Sequence, residues 1–168
     1  MPRHASVVGL LILASPPTLM AQQPAEPQRI ATVTAGIGNT MGWLGVQGER
    51  YFAHERLSAF LGLGYTPSID LGDPSGLTFA LGLRGFTAGV KHRGFLALSA
   101  SQLFIENGAT EDRRRLYGPG LEVGYQFASR GGFTAMLGVG AGYAPGMPEG
   151  QSAVASMIEL GLGYTWRR

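Results

Sequence analysis

From Ala31 onward the chain alternates apolar positions with polar or glycine positions at a period of two, the pattern of strands with two unlike faces. The last segment carries it most clearly. Val154, Ile158, Leu160, Leu162, Tyr164 and Trp166 share one face, and Ala155, Met157, Glu159, Gly161, Gly163 and Thr165 share the other. Phe133 to Tyr143 sets Phe133, Ala135, Leu137, Val139, Ala141 and Tyr143 against Thr134, Met136, Gly138, Gly140 and Gly142. Tyr117 to Phe127 sets Leu121, Val123, Tyr125 and Phe127 against Gly120, Glu122, Gly124 and Gln126. Leu57 to Thr66 alternates in the same way, and further strands are predicted at about 31–38, 43–52, 77–87 and 95–105, eight in all. Each is close to the ~9–11 residues that a tilted strand needs to cross a hydrocarbon layer. A single strand from Ala31 to Phe52 would be about twice that length, so Asn39 to Met41 is read as a turn. Pro119 cannot donate a ladder hydrogen bond and is expected at a rim rather than in mid-sheet.

The connections alternate in kind. Those near His54, Lys91 and Arg130 are tight, whereas Pro67–Ser75, Glu106–Leu116 and Pro145–Ser152 are longer and polar. Outer-membrane barrels have this asymmetry, with short periplasmic turns and longer external loops. An even number of strands also brings both chain ends to the periplasmic side.

Alternation fits either a soluble barrel, apolar inside, or a membrane barrel, apolar outside. Three features favour the membrane barrel. The polar phase is largely glycine with sparse Gln47, Glu49, Arg84, Glu122, Gln126 and Glu159, a poor solvent surface but a suitable filling for a narrow lumen. The apolar phase carries no charge through the strand centres, as a lipid-facing band requires. Aromatic residues gather at strand ends, with Tyr65, Phe104, Tyr117 and Tyr143 toward the outside and Phe127, Phe133, Tyr164 and Trp166 toward the periplasm. Those are the places where amphipathic rings settle at membrane interfaces. The expected fold class is therefore all-β, an eight-stranded antiparallel up-and-down transmembrane barrel over residues 29–168.

The first segment changes the picture by supplying an address. Arg3 and His4 precede an apolar run from Ala5 to Ala14, Pro16 and Pro17 break it, and Leu19-Met20-Ala21 offers a small residue for cleavage. This is the form of an export signal, and the run is about half the ~20 residues of a spanning helix. Residues 1–21 are thus expected to be a cleaved signal peptide and residues 22–28 a flexible periplasmic lead. With no later stretch able to span as a helix, a membrane location requires a closed barrel.

Composition mainly excludes. Cysteine is absent and Lys91 is the only lysine, with a formal net charge of +2. No disulfide framework or thiolate metal site is open to the chain, and no basic stripe could follow a nucleic acid. Neither a cofactor nor a metal is expected. The spacing Gly138-x-Gly140-x-Gly142 follows the strand period and has no helix after it, so it is not a nucleotide-binding fingerprint.

Near the end of the chain, Glu159, Gly161, Tyr164 and Trp166 match the pattern polar–x–Gly–x–x–aromatic–x–aromatic. This stretch resembles the terminal assembly signal of bacterial outer-membrane proteins, with the departure that Arg167 and Arg168 follow the last aromatic residue. The resemblance implies recognition by the barrel-assembly machinery, with periplasmic chaperones as transient partners. With the signal segment and strand count, the chain is similar to the small eight-stranded outer-membrane barrels of the OmpA/OmpX type. Such a resemblance implies membrane lipids and lipopolysaccharide as surroundings but assigns no specific activity.

The interior charges Glu49, Arg84, Glu122 and Glu159 read as a plug in which Arg84 pairs with glutamates; the rival reading is a proton or ion path. Three carboxylates against one arginine leave an excess of negative charge, so a protonated or hydrated glutamate is expected. Lipid A-modifying barrel enzymes use histidine with serine and an acidic residue near the external side. Here the mature part holds only His54 and His92, both in predicted periplasmic turns, so an enzyme is not expected. The loop bearing Glu111, Asp112, Arg113, Arg114 and Arg115 could bind lipopolysaccharide phosphates or bridge cations, although a solvated charged loop is the commoner explanation of such a run. The expected function is a non-enzymatic outer-membrane protein with a structural or surface-interaction role; a small pore is the alternative, and a lipid A-modifying enzyme a more distant one.

Overall fold

The computed structural model describes residues 28–67, 76–104, 115–145 and 152–168. The export segment 1–21, most of the lead and the charged loop with Glu111, Asp112, Arg113 and Arg114 lie outside the described residues. Eight antiparallel strands follow one another: β1 Arg29–Gly38, β2 Gly42–Phe52, β3 Leu57–Thr66, β4 Gly76–Phe86, β5 His92–Phe104, β6 Arg115–Ala128, β7 Phe133–Tyr143 and β8 Val154–Arg167. Each pairs with the next, and β8 returns to β1, closing the barrel in up-and-down order. Closure removes free sheet edges.

The period of two becomes inside and outside. Leu61, Leu98, Val123, Leu137 and Ile158, all near strand centres, point outward and are each more than half exposed. Thr34, Gln47, Ser58, Arg84, Glu122 and Glu159 alternate with such residues and are buried. The barrel is thus apolar outside and polar inside. Arg50 is the exception at the rim, exposed in the outward phase two residues before the end of β2.

The start of β1 and the end of β8 lie at the same end of the barrel as the tight turns at 53–56, 87–91 and 129–132. Arg167 and Arg168 are not a loose tail. Backbone hydrogen bonds of 2.8 Å run both ways between Gln28 and Arg168, extending the β1–β8 seam past Trp166. The Arg167 guanidinium also donates to the carbonyls of Ala128 and Ser129 in the β6–β7 connection.

Pro119 pairs with Ala100 inside β6, four residues from the strand start, rather than at its end. A pair without an amide hydrogen still works because the proline nitrogen turns toward β7, where the ladder has ended at Gly120–Gly142. It is a rim position on one side only.

The β1–β2 turn also differs from a simple exposed turn. Thr40 and Met41 are fully buried, because the turn folds into the barrel. Its carbonyls lie so close over Gly62 and Gly64 that a Cβ at either glycine would overlap the backbone oxygen of Thr40 or Met41. Glycine is required there by close approach rather than by its dihedral freedom. Asn39 anchors the tucked turn: its amide and side-chain oxygen both bond Ile158 of β8, and its Nδ2 donates to the carbonyl of Gln102 on β5 at 3.3 Å.

Candidate functional site in the barrel lumen

Alternation sends the polar phase of every strand into one narrow lumen, where charges far apart in sequence must find partners. Arg84 from β4 lies at the centre, with no solvent exposure. Its Nη1 donates to Glu49 Oε1 of β2 at 3.2 Å, and its Nη2 donates to Glu159 Oε2 of β8 at 2.8 Å. The guanidinium lies 4.8 Å from the ring centroid of Phe60 and 4.4 Å from that of Phe95, so ring faces also offset its charge. Glu49 is held further by Ser58 Oγ at 2.5 Å and by the Tyr51 hydroxyl at 2.8 Å. The predicted pairing of Arg84 with glutamates is therefore present for two of the three.

Glu122 stands apart. Its side chain lies over Gly138, whose backbone partner across β7–β8 is Glu159. A Cβ at residue 138 would overlap the Glu122 carboxylate. Neither Glu122 oxygen receives a hydrogen bond from an amide, hydroxyl or guanidinium group of the described residues. Glu122 and Glu159 thus face each other, with Arg84 serving Glu159 and Glu49 but not donating to Glu122.

A second layer lies nearer the tight turns. Arg93, the second residue of β5, donates through Nε and Nη2 to Gln126 Oε1 at 2.9 and 2.6 Å, while its guanidinium lies 3.7 Å from the Phe86 centroid. Gln126 Nε2 donates to the Tyr51 hydroxyl at 3.1 Å, linking this layer to Glu49. Arg29 and Arg93 both approach Glu55, with nitrogen–oxygen distances of 3.7 and 3.8 Å. Glu55 also accepts the Arg29 backbone amide and holds a turn in which Ala53, His54 and Glu55 all have positive φ. Thr32, Thr134 and Thr165 complete the layer with hydroxyl contacts of 2.5 and 2.7 Å.

The sequence reading missed two interior cations, but they have their own carboxylate: with Glu55 counted, the two layers hold three arginines, Arg29, Arg84 and Arg93, and four glutamates, Glu49, Glu55, Glu122 and Glu159. Around Arg84 itself three carboxylates still share one arginine. The strand predictions stopped at 31 and 95 and so left Arg29 and Arg93 outside. Continuing the alternation from Ala97 and Phe95 by one more inward step reaches Arg93.

Toward the long loops the filling turns partly apolar. Leu103 of β5 packs with Ala144, Ala155 and Met157, and Gln47 and Ser99 are buried with side-chain polar atoms that have no partner among the described residues.

The four residues of the terminal pattern divide by face. Glu159 and Gly161 point inward, Glu159 onto Arg84 and Gly161 toward Met136 and Met41. Tyr164 and Trp166 point outward, about half exposed, with ring centroids 5.2 Å apart in an edge-to-face arrangement. Arg115 begins β6 opposite Phe104, and the rest of its predicted loop cluster lies outside the described residues. His54 is in the β2–β3 turn as expected, whereas His92 is the first residue of β5 rather than a turn residue, its ring against Tyr125 and Phe127. No family model, curated protein or solved structure matches the chain.

Proposed function

We propose that this chain is a non-enzymatic barrel of a bacterial outer membrane, with a structural or surface-interaction role and a lumen plugged by its own side chains. The observation that carries the reading is the outward face: strand-centre leucine, valine and isoleucine side chains lie exposed around the barrel while the charges are inside. In water that arrangement would leave a contiguous apolar surface far larger than soluble monomers carry. In a bilayer it is the expected one. Outward Tyr65, Tyr117 and Tyr143 near the long-loop end, and Phe133, Tyr164 and Trp166 near the other, suit the two interfaces.

On this reading residues 1–21 are a cleaved export signal, lipids and lipopolysaccharide are the surroundings, and Tyr164 and Trp166 are read by the assembly machinery. The Arg84 layer supports a closed lumen, because its guanidinium is bonded on both sides and stacked between two rings. Fractionation of expressing cells, with gel migration before and after boiling, tests the proposal. It expects the protein in the outer-membrane fraction with heat-modifiable migration; recovery as a soluble monomer would overturn it.

A second reading, a small pore, draws on the unpartnered Gln47, Ser99 and Glu122 groups on the long-loop side, since buried polar groups are ordinarily met by protein or water. Stable discrete steps in planar-bilayer recordings would favour that reading over the plug.

A further inference from the structure

Arg50 interrupts the apolar outward face of β2 close to the tight-turn end, and its side chain is exposed. Its outward neighbours across the two ladders are small, Ala31 on β1 and Ala59 on β3. Beyond Ala31 lies Trp166 of β8, so Trp166, Ala31, Arg50 and Ala59 form one outward row. One outward step toward the middle of the barrel wall is Gly48, which pairs with Val33 and Leu61. A Cβ at Gly48 would meet nothing within 4 Å, so the surface below Arg50 is open between those two apolar side chains.

The same end of the barrel is basic. Arg56, Lys91 and Arg130 are exposed in the three tight turns, and Arg168 is exposed just past β8. Neither they nor Arg50 forms an ion pair with a described residue. The acidic side chain in these turns, Glu55, is turned to Arg29 and Arg93 instead. Exposed positive charge therefore stands around this rim with no acidic side chain of the described residues left to balance it. An arginine in the lipid-facing phase is costly at mid-membrane, but so near the strand end its long side chain reaches the interface.

We propose that Arg50 and the open surface over Gly48 bind an anionic phospholipid of the leaflet at the tight-turn end. The proposal rests on the membrane reading above. The guanidinium takes the phosphate through paired N–H donors, and an acyl chain descends over Gly48 between Val33 and Leu61. Arg56, Lys91, Arg130 and Arg168 hold a positive potential over the same headgroup layer, which favours anionic over zwitterionic lipids. A soluble anion would use the charge but leave the apolar surface below Arg50 without a role. A phospholipid uses both.

The test uses the full mature chain carrying Trp43→Phe, which leaves Trp166 as its one tryptophan, in phosphatidylcholine vesicles. A small fraction of brominated phosphatidylglycerol or brominated phosphatidylcholine is added, and quenching of Trp166 reads which lipid lies beside it. Arg50 is two strand spacings from Trp166, roughly 10 Å. The local share of the anionic probe should be at least about fivefold that of the zwitterionic one, what one basic residue supplies near a membrane surface. Arg50→Gln should lower the preference by about that factor, and Arg50→Lys should keep most of it. Both variants change an exposed side chain, and heat-modifiable migration checks that they fold. In about 1 M salt, where the screening length is ~3 Å, the preference should fall toward one. Equal quenching by the two probes, or a preference unchanged in Arg50→Gln, would overturn the site. So would its loss to soluble glycerol phosphate at constant ionic strength, which would assign the surface to a soluble anion. Failure of the protein to float with the vesicles would instead sink the membrane reading, so the two failures are distinguishable.

Discussion

Arg84 and Glu159 meet at 2.8 Å across the barrel, one from β4 and the other from β8, and neither side chain is exposed to solvent. The pair ties opposite walls together at the level where the lumen is narrow enough for one guanidinium to be bonded on both sides. Arg84 also holds Glu49, so its removal would leave two buried carboxylates without their cation.

Arg84→Met should therefore destabilise the folded barrel by about 3–5 kcal/mol, the range for breaking a buried pair by removing one partner. Glu122→Gln should behave in the opposite sense. No described amide, hydroxyl or guanidinium group donates to Glu122, so replacing its carboxyl by an amide breaks no pairing to a cation and should leave stability equal or higher. Reversible urea unfolding in lipid vesicles, followed by tryptophan fluorescence, measures both. Equal losses in the two variants would contradict the division of roles.

The tucked β1–β2 turn yields a test of closure. Gly64→Ala places a methyl group on the Met41 carbonyl, whereas a Cβ at Gly48 meets nothing. Overpacking of this kind costs about 1–3 kcal/mol, and swinging the turn out of the lumen is the simplest relief. Wild type and Gly48→Ala should be silent in planar bilayers while Gly64→Ala shows intermittent conductance. Silence in all three, with Gly64→Ala folded, would mean that the turn does not contribute to the plug.

In the β2–β3 turn, Ala53, His54 and Glu55 adopt φ of 49°, 56° and 65°, a left-handed stretch that side chains disfavour. Ala53→Gly should raise stability by about 1 kcal/mol, the order of the penalty for a non-glycine residue there. Glu55→Ala should lower it by about 1–2 kcal/mol, because Glu55 bonds the Arg29 amide and approaches two guanidinium groups. The same vesicle unfolding curves read both changes. A destabilised Ala53→Gly would mean that some contact of the Ala53 methyl outweighs the strain.

Much of this architecture was legible in the chain because glycine and small polar residues mark the inner phase so regularly. The eight strands lie within three residues of their predicted starts and ends, and the inward set Glu49, Arg84, Glu122 and Glu159 was found from parity alone. Arg29 and Arg93 were missed because a charge at a strand end looks like part of a turn. The inward turn was not legible for a different reason. Its lodging depends on Gly62 and Gly64 of another strand, and nothing in Asn39-Thr40-Met41 announces which way the turn folds. The shortness of the β4–β5 ladder, six pairs against thirteen between β5 and β6, was hidden likewise, since how far two strands stay paired depends on both of them together.

If the outward apolar face meets lipid, a charge placed at its middle must be forced into hydrocarbon. Leu137 lies mid-strand in β7, with its side chain outward and about half exposed. Leu137→Arg should reduce folding stability in vesicles by about 2–4 kcal/mol, the loss for arginine near a bilayer midplane. Unchanged stability in vesicles, with both proteins folded and monomeric in lipid-free buffer, would contradict the account.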